Sequence, residues 1–265
     1  MFKFNKNELF SLWIINEPTI INFKCWDSWI RLGYQVNLYV DKPQNIPQKY
    51  HSQMNIKLVN SVFTDFEFNA DRLLQSTDVW RFKYLLKHGG CWIDSDMYLF
   101  KRLPHDDIII SSEHTLKSGA FKSKGHLKPN IGVLRFPPNN VFVKAVVDCI
   151  ELTTVQDVND SKNSTSKMLK YIKLMNSKKW NHYVDLVSEP HIYCPIPWPW
   201  AKELFWTKMD SKVVASDKQK YALDFSYKND ETIGVHLWEN IAKQKQIKLK
   251  KDFDSVSDSF FSTLS

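Results

Sequence analysis

Apolar residues alternate along this chain between short strand-length runs and stretches with helical spacing. Phe10 to Ile15 reads as a strand, Thr19 to Leu32 as an amphipathic helix ended by Gly33, and Gln35 to Val40 and Ile56 to Val59 as two further strands. Val79, Phe82, Leu85 and Leu86 then recur on one side of a helix, with Ser76 or Thr77 as its N-cap and Gly89 or Gly90 as its breaker. Cys91 to Ile93 follows as a short apolar strand. Asp107 to Ser112 and Ile131 to Phe136 read as buried strands, and Asn139 to Leu152 and Lys167 to Met175 as helices. This alternation predicts an α/β fold with a mainly parallel central sheet flanked by helices and ligands beyond the carboxyl ends of its strands. Residues 1–250 are expected to form one domain, in which polar Thr153 to Ser166 is a mobile surface segment. Residues 251–265 are expected to form a C-terminal tail, frayed from Ser255 onward. No internal repeat is present.

Composition narrows the class. At 265 residues, with 43% hydrophobic and 14% aromatic content, the chain can bury a substantial core, in one large domain or one with a small subdomain. Cys25, Cys91, Cys149 and Cys194 stand far apart with no C-x-x-C, which indicates neither a zinc ribbon nor a disulfide framework and suits a reducing compartment. The apolar run Leu9 to Ile15 is too short for a signal or membrane segment, and no other window is long enough to span a bilayer. The net charge of +7 comes with a basic cluster at Lys243, Lys245, Lys248, Lys250 and Lys251. Lysines elsewhere are interspersed with acids and no nucleic-acid motif is present, so the cluster reads as a solvated face, with peripheral contact to anionic membrane as the alternative.

The chemistry concentrates at Asp94 and Asp96. Two carboxylates at the end of a buried strand are costly unless something positive joins them, and a hard divalent cation, Mn²⁺ or Mg²⁺, suits such oxygen ligands with phosphate completing the shell. Upstream, Asp78 and Arg81 lie three apart and share one helix face, either as a surface ion pair or as an acceptor of sugar hydroxyls beside a bidentate phosphate donor.

The stretch TDVWRFKYLLKHGGCWIDSDMYLF, Thr77 to Phe100, resembles the DxD sugar-binding region of retaining GT-A glycosyltransferases, close to family 32 and to the glucosylating domains of large clostridial toxins. The ordered set S/T-D-x-x-R, helical spacer, G-G-x-x-x-D-x-D is far more specific than the tripeptide alone. Phe10 to Ile15 resembles the first strand of that family, although Ile15-Asn16-Glu17 stands where the family continues with two glycines after Trp-Ile. Gly234 to Asn240 resembles its closing loop.

The resemblance implies a nucleotide-diphospho-sugar transferase fold and a role for each matching residue. Trp13 would stack on uracil, Asp78 accept sugar hydroxyls, Arg81 donate to the diphosphate or sugar, Asp94 and Asp96 hold the metal and ribose, His236 bind the metal, and Trp238 donate to the leaving phosphate. Read without the family, Trp13 is as well explained as core, and His236 as a hydrogen-bonded core histidine. Ile192 to Trp200 cannot be regular helix because three prolines interrupt it. The segment resembles the family's acceptor-side lining, where Trp198 and Trp200 would stack on sugar rings, and loop packing accounts for them equally. Glu113 and Asn130 are further acceptor-side candidates, with structural capping an equal account.

These readings combine into a metal-dependent, retaining glycosyltransferase that moves a sugar from UDP-sugar to a hydroxyl of a glycan or lipid-linked acceptor in surface-glycan synthesis. The lack of an anchor points to a cytoplasmic enzyme of a bacterium or a large virus. Two rivals are a catalytically silent nucleotide-sugar-binding protein and a DxD phosphatase. The phosphatase expects its motif near the N-terminus and a Thr or Val where Tyr98 stands.

Overall fold

A computed structural model of the chain describes residues 4–68, 73–113, 116–117, 120–121, 128–151, 178–197 and 230–239. The N-terminal apolar runs become β1 (Glu8–Trp13), β2 (Gln35–Val40) and β3 (Asn55–Leu58), joined through α1 (Ile20–Arg31) and the short α2 (Gln48–His51). After α3 (Leu73–His88) come β4 (Gly90–Ile93), β5 (Met97–Leu99) and β6 (Ile109–Glu113). The hairpin β7 (Leu116–Lys117) and β8 (Ala120–Phe121), β9 (Lys128–Phe136), α4 (Val141–Glu151) and β10 (Gly234–His236) follow.

Six strands form the central sheet in the order β3-β2-β1-β4-β9-β6. β1 pairs in parallel with β2 and β4, and β2 with β3. β9 is the exception, antiparallel to both β4 and β6. The expected α/β architecture with a mainly parallel, helix-flanked sheet is therefore observed, with one reversed strand that apolar periodicity does not reveal. Trp13 and Ile93 close β1 and β4 at the same end of the sheet, so Asp94 begins at its carboxyl edge.

Two aromatic-rich cores cover the two faces. Trp26, Trp29 and Tyr50 anchor one, and Trp80, Phe82, Phe136 and Phe142 the other. Burying a Leu or Phe side chain contributes about 1.5–3 kcal/mol, so Phe82 and Leu85 hold α3 more firmly than any ion pair on its surface. α1 starts at Thr19, whose hydroxyl accepts from Ile21 N–H while Asn22 answers at the Thr19 N–H, a reciprocal cap. Its Trp29 indole donates to the Met97 carbonyl at 2.8 Å, pinning the helix to β5.

Boundaries differ from the expectations where tertiary contacts intervene. α3 already includes Leu73, which packs on the second core, so Ser76 and Thr77 lie inside the helix rather than capping it. Gly89, at φ +65°, ends α3 as expected, and a Cβ there would meet Pro138 at 2.5 Å. β1 stops at Trp13 rather than Ile15 because a tight turn follows. Asn16 N–H donates to Ile14 O, Ile15 sits at φ +75°, and its N–H donates to the Asp41 carboxylate. The expected helix Lys167–Met175, the segment Thr153–Ser166, the lysine cluster and the tail lie outside the described residues. No helix among the described residues is long and apolar enough to cross a membrane.

Candidate active site

The turn after β4 carries Asp94 and Asp96. Asp94 N–H donates to Gly132 O on β9, and Met97 N–H closes back on Asp94 O at 2.9 Å. Oδ1 of Asp94 accepts from the Trp92 indole at 2.8 Å and pairs with Arg81 Nη2 at 3.0 Å. Arg81 is only 5% exposed, lies 4.3 Å over the Trp92 ring and donates to the Ile131 carbonyl. Its second carboxylate partner is Asp78, at 3.6 Å. The pair expected from the three-residue spacing is present, but inside the protein rather than on its surface, and the guanidinium serves Asp94.

Asp96 is held by the segment around β10. Its Oδ1 lies 3.0 Å from His236 Nε2, its Oδ2 accepts from Glu239 N–H at 2.9 Å, and its carbonyl accepts from Leu237 N–H. β10 pairs antiparallel with β5, which places His236 opposite Met97. Gly234 permits this approach, since a Cβ there would meet the Tyr98 carbonyl oxygen at 2.7 Å.

Ligand atoms of Asp94, Asp96 and His236 all lie within 4.8 Å of one another. Nε2 of His236 is 3.0 Å from Asp96 Oδ1 and 4.0 Å from Asp94 Oδ2. Adjacent ligands of an octahedron with about 2.1 Å bonds stand roughly 3 Å apart and opposite ones roughly 4.2 Å. Two carboxylates and one imidazole at these spacings fit a hard or borderline divalent cation.

Electrostatics tie the same three groups together. Burial opposes charge on His236, but the Asp96 carboxylate, through charge and hydrogen bond, and the nearby Cys194 thiol outweigh it and raise its pKa well above the ordinary value. Burial likewise opposes ionisation of Asp96, yet His236 and backbone N–H donors, that of Glu239 among them, hold its carboxyl below the usual range. The His236 contribution to stability is full below its unfolded pKa and fades as pH rises through the raised folded value. The Asp96 contribution is present above the unfolded carboxyl value and is lost as pH falls through the depressed one. A cation bound through His236 Nε2 would have to displace a proton held there, so Mn²⁺ affinity should rise with pH. Calorimetric titration with Mn²⁺ at several pH values, on wild type and His236→Ala, measures this, and equal affinity in the two would rule out His236 as a ligand.

The other sequence candidates are disposed as follows. The Trp238 ring stacks on His236, centroids 3.9 Å apart, but the extended run ends at His236. Trp238 sits at φ +54° with its indole donating to Ile196 O. Gly234 to Leu237 is fastened to β5 and to Asp96 by backbone hydrogen bonds. Trp13, half-buried at the end of β1, packs on the first core and donates to Asn16 O. Glu113 and Asn130 are buried partners on β6 and β9, joined at 3.1 Å, with Asn130 Oδ1 accepting from Gly132 N–H one strand away from Asp94. Trp198 and Trp200 lie outside the described residues. Trp92, Asn22 and Glu239 were missed as site residues. Nothing in their local sequence signals that they converge on the Asp-x-Asp turn.

Residues 23–115, about a third of the chain, match the family described as "Glycosyltransferase sugar-binding region containing DXD motif". The matched stretch contains α3, with Asp78 and Arg81, and the Asp-x-Asp turn. No curated protein sequence matches the chain. Among solved structures it is similar to the PaToxG glycosyltransferase, with 16% identity over 68% of this chain and 74% of that one and a TM-score of 0.45. A glycosyltransferase involved in glycosylation of the major capsid of PBCV-1 is similar at 14% identity over 90% and 97%, TM-score 0.42. The UDP-bound glycosyltransferase domain of the YGT toxin is similar at 10% over 96% and 82%, TM-score 0.41.

Proposed function

We propose that this chain transfers a sugar, with retention of anomeric configuration, from a UDP-sugar to a hydroxyl of a glycan or lipid-linked acceptor in surface-glycan synthesis. The observation that carries this reading is the convergence of Asp94, Asp96 and His236 beside the buried Asp78–Arg81 pair, at the carboxyl edge of the sheet. Mn²⁺ or Mg²⁺, when bound there, would neutralise the diphosphate leaving group. Arg81 orients Asp94, Asp78 offers a carboxylate to sugar hydroxyls, and Trp13 offers a ring face to the base. The Trp238 indole would exchange the Ile196 carbonyl for the leaving phosphate as charge develops there. Glu113 and Asn130 line the acceptor side, and Trp198 and Trp200 are assigned to it from their proline-rich segment.

A phosphatase would need a free aspartate nucleophile. The first aspartate of this motif instead has an oxygen engaged by Arg81 and Trp92, which disfavours that chemistry. A silent binder and an enzyme separate on turnover. Screening UDP- and GDP-sugars with Mn²⁺ by thermal shift identifies the donor, and slow release of free sugar from it marks the enzyme. Binding with no hydrolysis and no transfer would favour the binder.

The assigned roles predict a split between two variants. Asp78→Asn should lower kcat severely while sparing UDP affinity. Trp13→Ala should weaken UDP itself by about 1–3 kcal/mol, the usual range for base stacking on an aromatic ring. Calorimetry with UDP and single-turnover rates measure both, and the opposite pattern would show the roles exchanged.

A further inference from the structure

Glu239 is a carboxylate only 4% exposed, and its own N–H donates to Asp96, the second aspartate of the motif. It follows β10, outside the matched sugar-binding region. Its oxygens accept from Thr19 Oγ1 at 3.0 Å and Asn22 Nδ2 at 3.1 Å, across 220 and 217 residues of sequence. Thr19 is the N-cap of α1 and Asn22 its third residue, so the carboxylate rests on the positive end of a 12-residue helix. Asn22, fully buried, also donates to the Ser95 carbonyl between the two aspartates at 3.3 Å. Three segments distant in sequence, the start of α1, the Asp-x-Asp turn and the end of the closing segment, thus meet at two side chains.

Burying an acid next to Asp96 is electrostatically unfavourable, so the arrangement requires compensation. Its hydrogen bonds supply it, and its geometry has a consequence for Asp96. Glu239 N–H occupies Asp96 Oδ2, which leaves Oδ1 as the oxygen turned to His236. We propose that Glu239, gripped by Thr19 and Asn22, is a positioning residue that locks the closing segment onto the Asp-x-Asp turn and fixes which oxygen of Asp96 coordinates the metal. This rests on the metal reading of the Asp94, Asp96 and His236 cluster. Without the grip, Asp96 turns freely and His236 loses its fixed place opposite Asp94. The cation then meets ligands that must be ordered as it binds.

The test compares wild type with Glu239→Gln, which keeps side-chain size, and with Thr19→Ala, which removes the Thr19 grip. Mn²⁺ alone is titrated by calorimetry and Co²⁺ alone by visible absorption, while hydrogen exchange follows the Leu237 and Glu239 amides in metal-free protein. Glu239→Gln should lose at least about 10-fold in Mn²⁺ affinity, the usual effect of removing a group that orients a metal ligand. Its Co²⁺ spectrum should change and both amides should exchange faster, with Thr19→Ala intermediate. A fall in melting temperature with Co²⁺ spectrum and Mn²⁺ affinity intact would make Glu239 merely structural and overturn the proposal. Weaker metal binding with unchanged exchange would reduce it to an effect of charge and overturn it too. If wild type itself binds neither ion, the metal reading fails first and the positioning role falls with it, whereas binding by wild type and equal binding by both variants defeats the positioning role alone.

Discussion

Asp96→Ala is expected to abolish metal-dependent UDP binding while leaving the protein folded. Asp96 pairs with His236 at 3.0 Å, and its second oxygen and its carbonyl hold Glu239 and Leu237. Removing it takes away a ligand and releases the segment that presents another. Changing groups that only orient a ligand costs about 10–100-fold in metal affinity, so losing a ligand together with its orienting contacts should exceed roughly 100-fold. Asp96→Asn separates the two effects, because the amide keeps an oxygen for the Glu239 N–H but lacks the charge. Calorimetry with UDP, with and without Mn²⁺, on variants checked by circular dichroism gives the answer. UDP affinity in Asp96→Ala that still rises with Mn²⁺ as in wild type would remove Asp96 from the site.

Arg81→Ala should be the most destabilising single change at the site. The guanidinium is nearly enclosed by Asp78, Asp94, the Ile131 carbonyl and the Trp92 ring. Its truncation takes the guanidinium from two part-buried carboxylates and leaves a hole under the indole. Breaking a buried pair by removing one partner costs about 3–5 kcal/mol, which for a chain of this size lowers Tm by roughly 10 °C. Arg81→Lys should recover part of the stability but little activity, since an ammonium cannot serve Asp94 and Ile131 with one planar fork. Thermal denaturation measures the first effect and sugar release the second. A Tm within about 2 °C of wild type in Arg81→Ala would mean that Asp94 is held without Arg81.

Local pattern was a good guide where the determining contacts are near in sequence. The three-residue spacing of Asp78 and Arg81 put them on one helix face, and Gly89 ended α3, because helical periodicity and glycine's access to positive φ act over a few residues. Apolar runs located β1, β2, β3 and β4 to within two residues, since burial on a sheet follows side-chain pattern. The Asp-x-Asp motif with its ordered flanks was legible as a candidate site because its residue types and spacings are themselves unusual.

Partnerships between distant segments were not legible. The direction of β9, the pairing of β10 with β5, and the inward turn of Arg81 depend on which surfaces meet, and apolar periodicity carries no record of strand direction or of a partner more than a hundred residues away. Ile15 at φ +75° is held by Asp41 at the end of another strand, which no turn rule anticipates for a β-branched residue. The sequence by itself determined the helix faces, the strands and the carboxylates that can hold a cation. Tertiary structure alone decided that His236 stands 3.0 Å from Asp96 and that Glu239 reaches the start of α1, because the hydrogen bonds that set those distances join groups brought together only by closure of the fold.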